Sequence, residues 1–148
     1  MPTDPYAEHA ERALTPQESR DLARLVSQAA ARARDGFIQS TRGFGIPVPL
    51  CRVLLLLDEP RSMRHIADQL GCDPSYVTSL ADQLTERGLA IRTTGRDRRV
   101  KLIAATDAGA ALRTQVARAV SGNAAFGRQL SVVQRQQLAR LLTLLLEG

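Results

Sequence analysis

Apolar residues recur at three- and four-residue intervals through most of this 148-residue chain. That spacing puts them on one side of a helix. Leu22, Leu25, Val26, Ala29, Ala33 and Phe37 mark the first such stretch. Thr15-Pro16-Gln17-Glu18 supplies its start: a Thr cap, Pro at the first helical position and Glu three residues after the cap. The helix is predicted to run to about Ser40, with Gly36 weakening it slightly. Ahead of it, Met1–Leu14 has two Pro and no sustained period, which predicts a loose arm.

Arg42–Pro49, RGFGIPVP, holds two Gly and two Pro and must be a connection. Leu50–Leu57 is nearly all apolar and reads as a short buried helix that Asp58-Glu59-Pro60 ends. Ser62 caps a third helix with Met63, Ile66, Ala67 and Leu70 on one face, and Gly71 stops it. Asp73-Pro74 opens a fourth, an Asp cap followed by Pro. Val77, Leu80, Ala81 and Leu84 are predicted to point inward, Ser75, Ser79, Gln83 and Glu86 outward, with Tyr76 and Thr78 on the flanks; Gly88 ends it.

The period then shifts from helical to alternating. Leu89-Ala90-Ile91, a turn at Thr94-Gly95, and Val100-Lys101-Leu102 predict a hairpin reaching to about Ala105. Thr106-Asp107 caps a long fifth helix with a stripe of Ala108, Leu112, Val116 and Val120, which Gly122-Asn123 and Gly127 are expected to bend or fray. Ser131-Val132-Val133-Gln134 repeats the capping-box pattern, and the last helix carries Leu138, Leu141, Leu142, Leu144, Leu145 and Leu146. Two short helices joined at Gly71-Cys72-Asp73 and followed by a two-stranded ribbon make a winged helix-turn-helix. The fold class is therefore mainly α with a small β-hairpin wing, flanked by terminal helices.

Charge sharpens this picture. Arg87–Lys101 contains six basic residues and one acid, a net +5, which equals the formal charge of the whole chain. A local excess on a neutral body is a docking surface for a polyanion. At the ribbon tip, Arg96, Arg98 and Arg99 suit a narrow minor groove. Asp97 among them makes sense if it pairs with one arginine across the turn and holds the tip in shape. The outward face of the fourth helix is small and amphiprotic, so Ser75, Tyr76, Thr78, Ser79 and Gln83 can reach phosphates and base edges. A merely solvated face would be richer in Lys and Glu. Asp82 and Glu86 would repel phosphates and confine contact to the first two turns. Arg64 and His65, with Arg61, are expected to meet phosphate at the start of the third helix.

Other chemistry is thin. Aromatic content is 3% with no Trp, which argues against stacking platforms for single strands. The longest aliphatic run, Val53–Leu57, falls far short of the roughly 20 residues of a membrane span. The polar start has no signal-peptide core, so a cytoplasmic location without membrane contact is expected. Cys51 and Cys72 form no CxxC and suggest no disulfide framework. Cys51 reads as a core thiol. Cys72 sits just before the fourth helix, near its positive end, where oxidation could disturb binding; a small buried turn residue is the weightier reading. His9 and His65 stand far apart with no ligand-spaced partner, so neither a metal nor a cofactor is expected. No phosphate loop, carboxylate pair or Ser/His/Asp context points to an enzyme.

The order of elements, the segment Ser75–Leu89 (SYVTSLADQLTERGL) and the tip Asp97-Arg98-Arg99 resemble the MarR family of bacterial transcription regulators. The resemblance spans about Leu22–Leu146. It implies one subunit with a DNA-binding lobe over about 48–105 and dimerisation helices over about 16–42 and 106–148. It also implies a homodimer on a pseudo-palindromic double-stranded operator, often a repressor, and often control by a small molecule or thiol oxidation. In the family pattern Arg99 enters the minor groove with Asp97 orienting it, and Ser75, Thr78 and Ser79 face the major groove. Where the family commonly has Arg after the first turn, this chain has Ser79. The family's oxidation sensors carry their Cys near the start of the first helix; this chain has none there. An effector pocket is implied between the first, second and fifth helices and the DNA-binding lobe, with Phe37, Arg42 and Phe44 near it.

The dimer also follows from the residues alone. Six of the nine residues from Leu138 to Leu146 are Leu, spread around much of the helix, and one chain cannot cover that face. A rival reading is a winged-helix module that docks its basic ribbon on an acidic protein without specific DNA binding.

Overall fold

The computed structural model describes residues 13–123 and 126–147. Within them the elements run α1 (Pro16–Thr41), α2 (Val48–Leu55), β1 (Arg61–Ser62), α3 (Met63–Leu70), α4 (Pro74–Glu86), β2 (Ala90–Thr94), β3 (Lys101–Ala105), α5 (Asp107–Asn123) and α6 (Val132–Glu147). Most of the arm expected at the start, and His9 with it, lies outside the described residues. The chain falls into two compact units, one up to Asp35 and one from Gly36 onward.

The helix starts are made as their sequences require. Thr15 Oγ1 accepts from the Glu18 N–H at 3.2 Å and Glu18 Oε2 accepts from the Thr15 N–H at 2.8 Å, a closed capping box. Ser131 and Gln134 repeat it at 3.2 and 2.9 Å. Ser62 Oγ accepts from the His65 N–H at 3.1 Å, and Gly71 ends α3 in the left-handed region at φ 64°. Gly88 does the same after α4 at φ 70°. The second helix begins two residues earlier than its apolar run suggested. Pro49 is tolerated in its first turn, where the N–H has no helical partner, and Leu56 and Leu57 belong to the following turn.

In the second unit, Leu50, Val53, Leu54 and Leu57 pack with Ile66, Ala67, Val77, Leu80, Ala81, Leu84, Ala90 and Ile103 in one core. Burial of each large aliphatic side chain contributes about 1.5–3 kcal/mol. The four inward positions predicted for α4 are all buried. The stripe on α5 departs from the expected one at its first position; Leu112, Val116 and Val120 are half-buried or buried. Ala108 is exposed, and Gly109 takes the inward position together with Val116 and half-buried Leu112. Close approach of backbone to backbone explains it: a Cβ at Gly109 would stand 1.9 Å from the Leu89 carbonyl oxygen. Thr106 closes the same junction, donating from Oγ1 to the Gly88 carbonyl at 2.7 Å and from N–H to the Leu89 carbonyl at 3.1 Å.

The sheet has three strands, not two, in the order β1-β3-β2 and antiparallel throughout. β1 pairs Arg61 with Ile103 and Ser62 with Leu102. The residue that caps α3 is thereby tied to the central strand of the wing. Two residues are too few to show a period of two, so the alternation that revealed the hairpin could not reveal β1.

Candidate nucleic-acid interface

Asp73 organises the start of α4. Its Oδ1 accepts from the Ser75 hydroxyl at 2.7 Å and from the Ser75 N–H at 2.8 Å. Those bonds, the hydroxyl first, hold its carboxyl below the ordinary carboxylate range. A depressed folded-state pKa contributes stability above the unfolded pKa, and that contribution is lost as pH falls through the folded value. Asp73→Ala is therefore expected to melt lower than the parent at neutral pH, with the gap closing on acidification below the usual Asp range. Paired thermal melts across pH check this; a constant gap would remove the charge from the cap.

The hydroxyls of α4 are not equivalent. Ser75 commits its proton to Asp73, and Thr78 Oγ1 donates back to the Pro74 carbonyl at 3.1 Å. Among the described residues no hydrogen bond engages the side chains of Tyr76, Ser79 or Gln83. Tyr76 and Ser79 are exposed and Gln83 is half-buried. The donors α4 can offer to an outside acceptor are thus concentrated on those three residues.

The ribbon tip is a longer turn than expected. Thr94 pairs with Lys101 as the last rung, and Val100 falls in the turn. The Gly95 N–H donates to the Val100 carbonyl at 3.0 Å and the Val100 N–H to the Asp97 carbonyl at 2.9 Å. Arg96, Asp97, Arg98 and Arg99 are all exposed. Asp97 does shape the tip, but by a different bond from the one expected. Its Oδ1 accepts from the Arg99 backbone N–H at 3.0 Å, and no ion pair joins it to an arginine side chain among the described residues. A two-residue separation favours this short side-chain-to-backbone loop over a guanidinium pair. The Arg99 side chain is exposed.

At the start of α3, Arg64 and His65 are exposed as anticipated, but Arg61 is not available with them. Its guanidinium pairs with Asp58 at 3.0 Å and Glu59 at 2.7 Å, and it holds the Asp58 carboxyl below the ordinary range. Asp82, expected to repel phosphates, is paired with Arg92 of β2. Cys51 is buried, which pushes its thiol up and away from thiolate chemistry. Cys72 is half-buried in the turn before α4.

Two cavities flank these elements. One of about 430 Å³ lies along α2 and α5, with Leu55, Asp58, Arg113, Thr114, Ala117, Arg118 and Ser121 in its wall. Arg113 donates to the Leu57 carbonyl at its edge. The other, about 280 Å³, is walled by Val48, Pro49, Arg52, Leu70, Cys72, Tyr76 and Leu80. Phe37, Arg42 and Phe44 line neither, although the Arg52 guanidinium stands 5.2 Å over the Phe37 ring. No group of three or more His, Cys, Asp or Glu among the described residues could hold a metal ion. None of their helices is long and apolar enough to cross a membrane.

No protein-family model and no curated protein matches the sequence. Solved structures do. CouR from Rhodococcus jostii RHA1, bound to p-coumaroyl-CoA, is 30% identical with a TM-score of 0.73, the match covering 84% of this chain and 90% of that one. A MarR-family transcriptional regulator from Rhodococcus sp. RHA1 is 30% identical with a TM-score of 0.72, covering 89% and 94%. This chain belongs to the MarR family. The transcriptional repressor CouR bound to a 23-mer DNA duplex is 26% identical with a TM-score of 0.72, covering 90% and 99%. As a MarR-family member the chain is a transcriptional regulator with a winged-helix fold, as the order of its elements, the segment Ser75–Leu89 and the Asp-x-Arg tip suggested. What the sequence did not disclose about this MarR-family surface is which polar groups are already engaged: Arg61, Arg92, Ser75 and Thr78.

Proposed function

We propose that the protein is a homodimeric repressor that binds a pseudo-palindromic double-stranded operator and releases it on binding a small acidic molecule. The carrying observation is the ribbon tip. The stretch that holds the whole net charge carries three exposed arginines at its turn, beside a helix whose spare donors are Tyr76, Ser79 and Gln83. In this reading Arg96, Arg98 and Arg99, with Arg64 and His65 on α3, supply phosphate and minor-groove contact. The helix supplies base reading, with Ser75 and Thr78 acting as acceptors because their protons are already engaged. Residues about 48–105 form the reading lobe, and about 16–42 and 106–148 pair two copies. The similarity to DNA-bound and ligand-bound CouR supports both the operator and the effector.

The α2–α5 cavity is the place for that effector. Its wall is mostly apolar with two arginines and two hydroxyls, and its one carboxylate, Asp58, is already paired with Arg61. Oxidation of Cys72 is a second route to release, favoured by its partial exposure beside Tyr76 in the smaller cavity.

Selection of bound fragments from genomic DNA, followed by salt-dependent titration, tests the reading. A steep salt slope and a two-fold symmetric footprint are expected. Arg99→Ala should weaken binding across sequences and reduce the slope by about 0.9 for each phosphate that is no longer neutralised. Ser79→Ala should change sequence preference instead. Unchanged binding by Arg99→Ala would remove the minor-groove assignment, and a stoichiometric protein complex without DNA binding would replace the whole reading with the acidic-partner one. Weakly acidic aromatic compounds, and mild peroxide with Cys72→Ser as control, added to the same titration test the two release routes.

A further inference from the structure

We propose that Arg92 is a positioning residue: paired with Asp82, it sets the direction of the wing relative to α4 and makes no phosphate contact of its own. The inference rests on the DNA-binding reading above, but its structural half stands without DNA.

Arg92 lies in the middle of β2, opposite buried Ile103 of β3. Strand alternation puts it on the same face as Ala90, which is buried in the core, and so turns it toward α4 rather than outward. There its guanidinium meets Asp82 in the third turn of α4. It is the ion pair that joins α4 to the sheet among the described residues. Both side chains are about half exposed, at 42% and 56%, so the pair contributes little to global stability. Its effect is geometric.

The wing has a separate anchor at its base. Thr106 bonds to the Gly88 and Leu89 carbonyls there, and the α5 backbone packs against Leu89 at Gly109. Along its β3 edge the ribbon is held by β1, which pairs with Ile103 and Leu102. The Arg92–Asp82 pair holds the β2 edge at the same level, ties it to α4 and leaves the tip, Arg96–Arg99, at a set offset from Ser79 and Gln83. The pair also answers an electrostatic problem. An unpaired carboxylate at Asp82, on the helix proposed to approach phosphates, would oppose binding; the guanidinium cancels it. The cationic stretch thus contains five basic residues free for a polyanion and one that is engaged inside the protein.

The test uses the whole chain in the assembly it forms in solution and three variants: Arg92→Ala, Asp82→Asn, and the exchange Arg92→Asp with Asp82→Arg. Amide relaxation of the free protein is read first. Both single variants should show lowered order at Arg96–Arg99 with the rest of the fold unchanged, and the exchange should restore it. On selected operator DNA, each single variant should bind roughly tenfold more weakly, as for a contacting coupled pair. The slope of log K against log salt should stay at the parental value.

A slope lowered by about 0.9 in Arg92→Ala, the value for one phosphate, would show that Arg92 meets the DNA directly and overturn the proposal. Tighter binding by Asp82→Asn would also overturn it, by making Asp82 only a repulsive charge. If the parent protein binds no DNA, the functional reading fails. The relaxation data still decide the positioning role, because unchanged tip order in both single variants rejects it.

Discussion

Gly109→Ala is expected to destabilise the protein by about 2–3 kcal/mol and lower its melting midpoint by roughly 5–10 °C. In an ordinary helix interior the same change stabilises, because Ala loses less backbone entropy than Gly and gains up to about 1 kcal/mol. Here the sign reverses. The new Cβ would lie 1.9 Å from the Leu89 carbonyl oxygen and 2.9 Å from its carbon, both backbone atoms that cannot swing aside. Relief requires α5 to move off the α4–β2 connection. That strains the Thr106 bonds to Gly88 and Leu89, which close the junction. The Gly36→Ala variant serves as control: it is also helical, a Cβ there meets nothing within 4 Å, and a gain of about 0.5–1 kcal/mol is expected. Denaturant titrations of both variants check the pair. If Gly109→Ala were as stable as the parent, the close α5–Leu89 approach would not exist in solution.

Leu141→Glu combined with Leu145→Glu is expected to halve the sedimenting mass and weaken operator binding by at least a hundredfold, the low end of the roughly 10²–10⁴ that a second linked site supplies. No described residue of α6 is buried within one chain; Leu141 is 56% and Leu145 62% exposed, one turn apart on the same side. On α1, Leu22, Leu25 and Val26 are likewise exposed. A helix with a full turn of leucine in water is unstable as a surface, and each Leu covered by a partner contributes about 1.5–3 kcal/mol. Two buried glutamates facing their symmetry copies would remove that gain and add repulsion. Separate subunits would then bind half-sites singly, without the effective concentration that a linked second site provides. Sedimentation equilibrium with fluorescence anisotropy on the selected operator measures both effects. A dimer that survives the double change would place the subunit contact elsewhere.

Much of the fold was legible because its signals are local. Thr15 with Glu18, Ser62, Asp73-Pro74, Gly71, Gly88, and Ser131 with Gln134 act within a few residues of themselves, and every one of these caps and stops closes as its sequence implies. The inward face of α4 was legible for the same reason, since four apolar positions at helical spacing admit one buried side. Where local signals were weak, the structure departed from the expectation. β1 is too short to show a period. Pro49 looks like a breaker but sits where a first-turn Pro is harmless, and Ala108 looked inward because nothing in its neighbourhood announced that Gly109 meets Leu89.

The candidate interface divides along the same line. Its composition was visible at once: a hydroxyl-bearing helix and an arginine ribbon that carries the entire net charge. Which groups remain free was not. Asp97 bonds the Arg99 backbone rather than a guanidinium, Arg61 is taken by Asp58 and Glu59, and Arg92 by Asp82. The sequence by itself determined the helices, their caps, the order of elements and the place where charge accumulates, since each depends on neighbours three or four residues away or on simple counting. Only the tertiary structure decided the third strand, the Gly109 contact, the Arg92–Asp82 pair and the bond from Arg113 to Leu57. Those depend on bonds between residues 10, 18 and 56 positions apart, Arg92 with Asp82, Thr106 with Gly88, and Arg113 with Leu57. Such bonds exist only after separate elements have packed close enough for one side chain to reach another's backbone or charge.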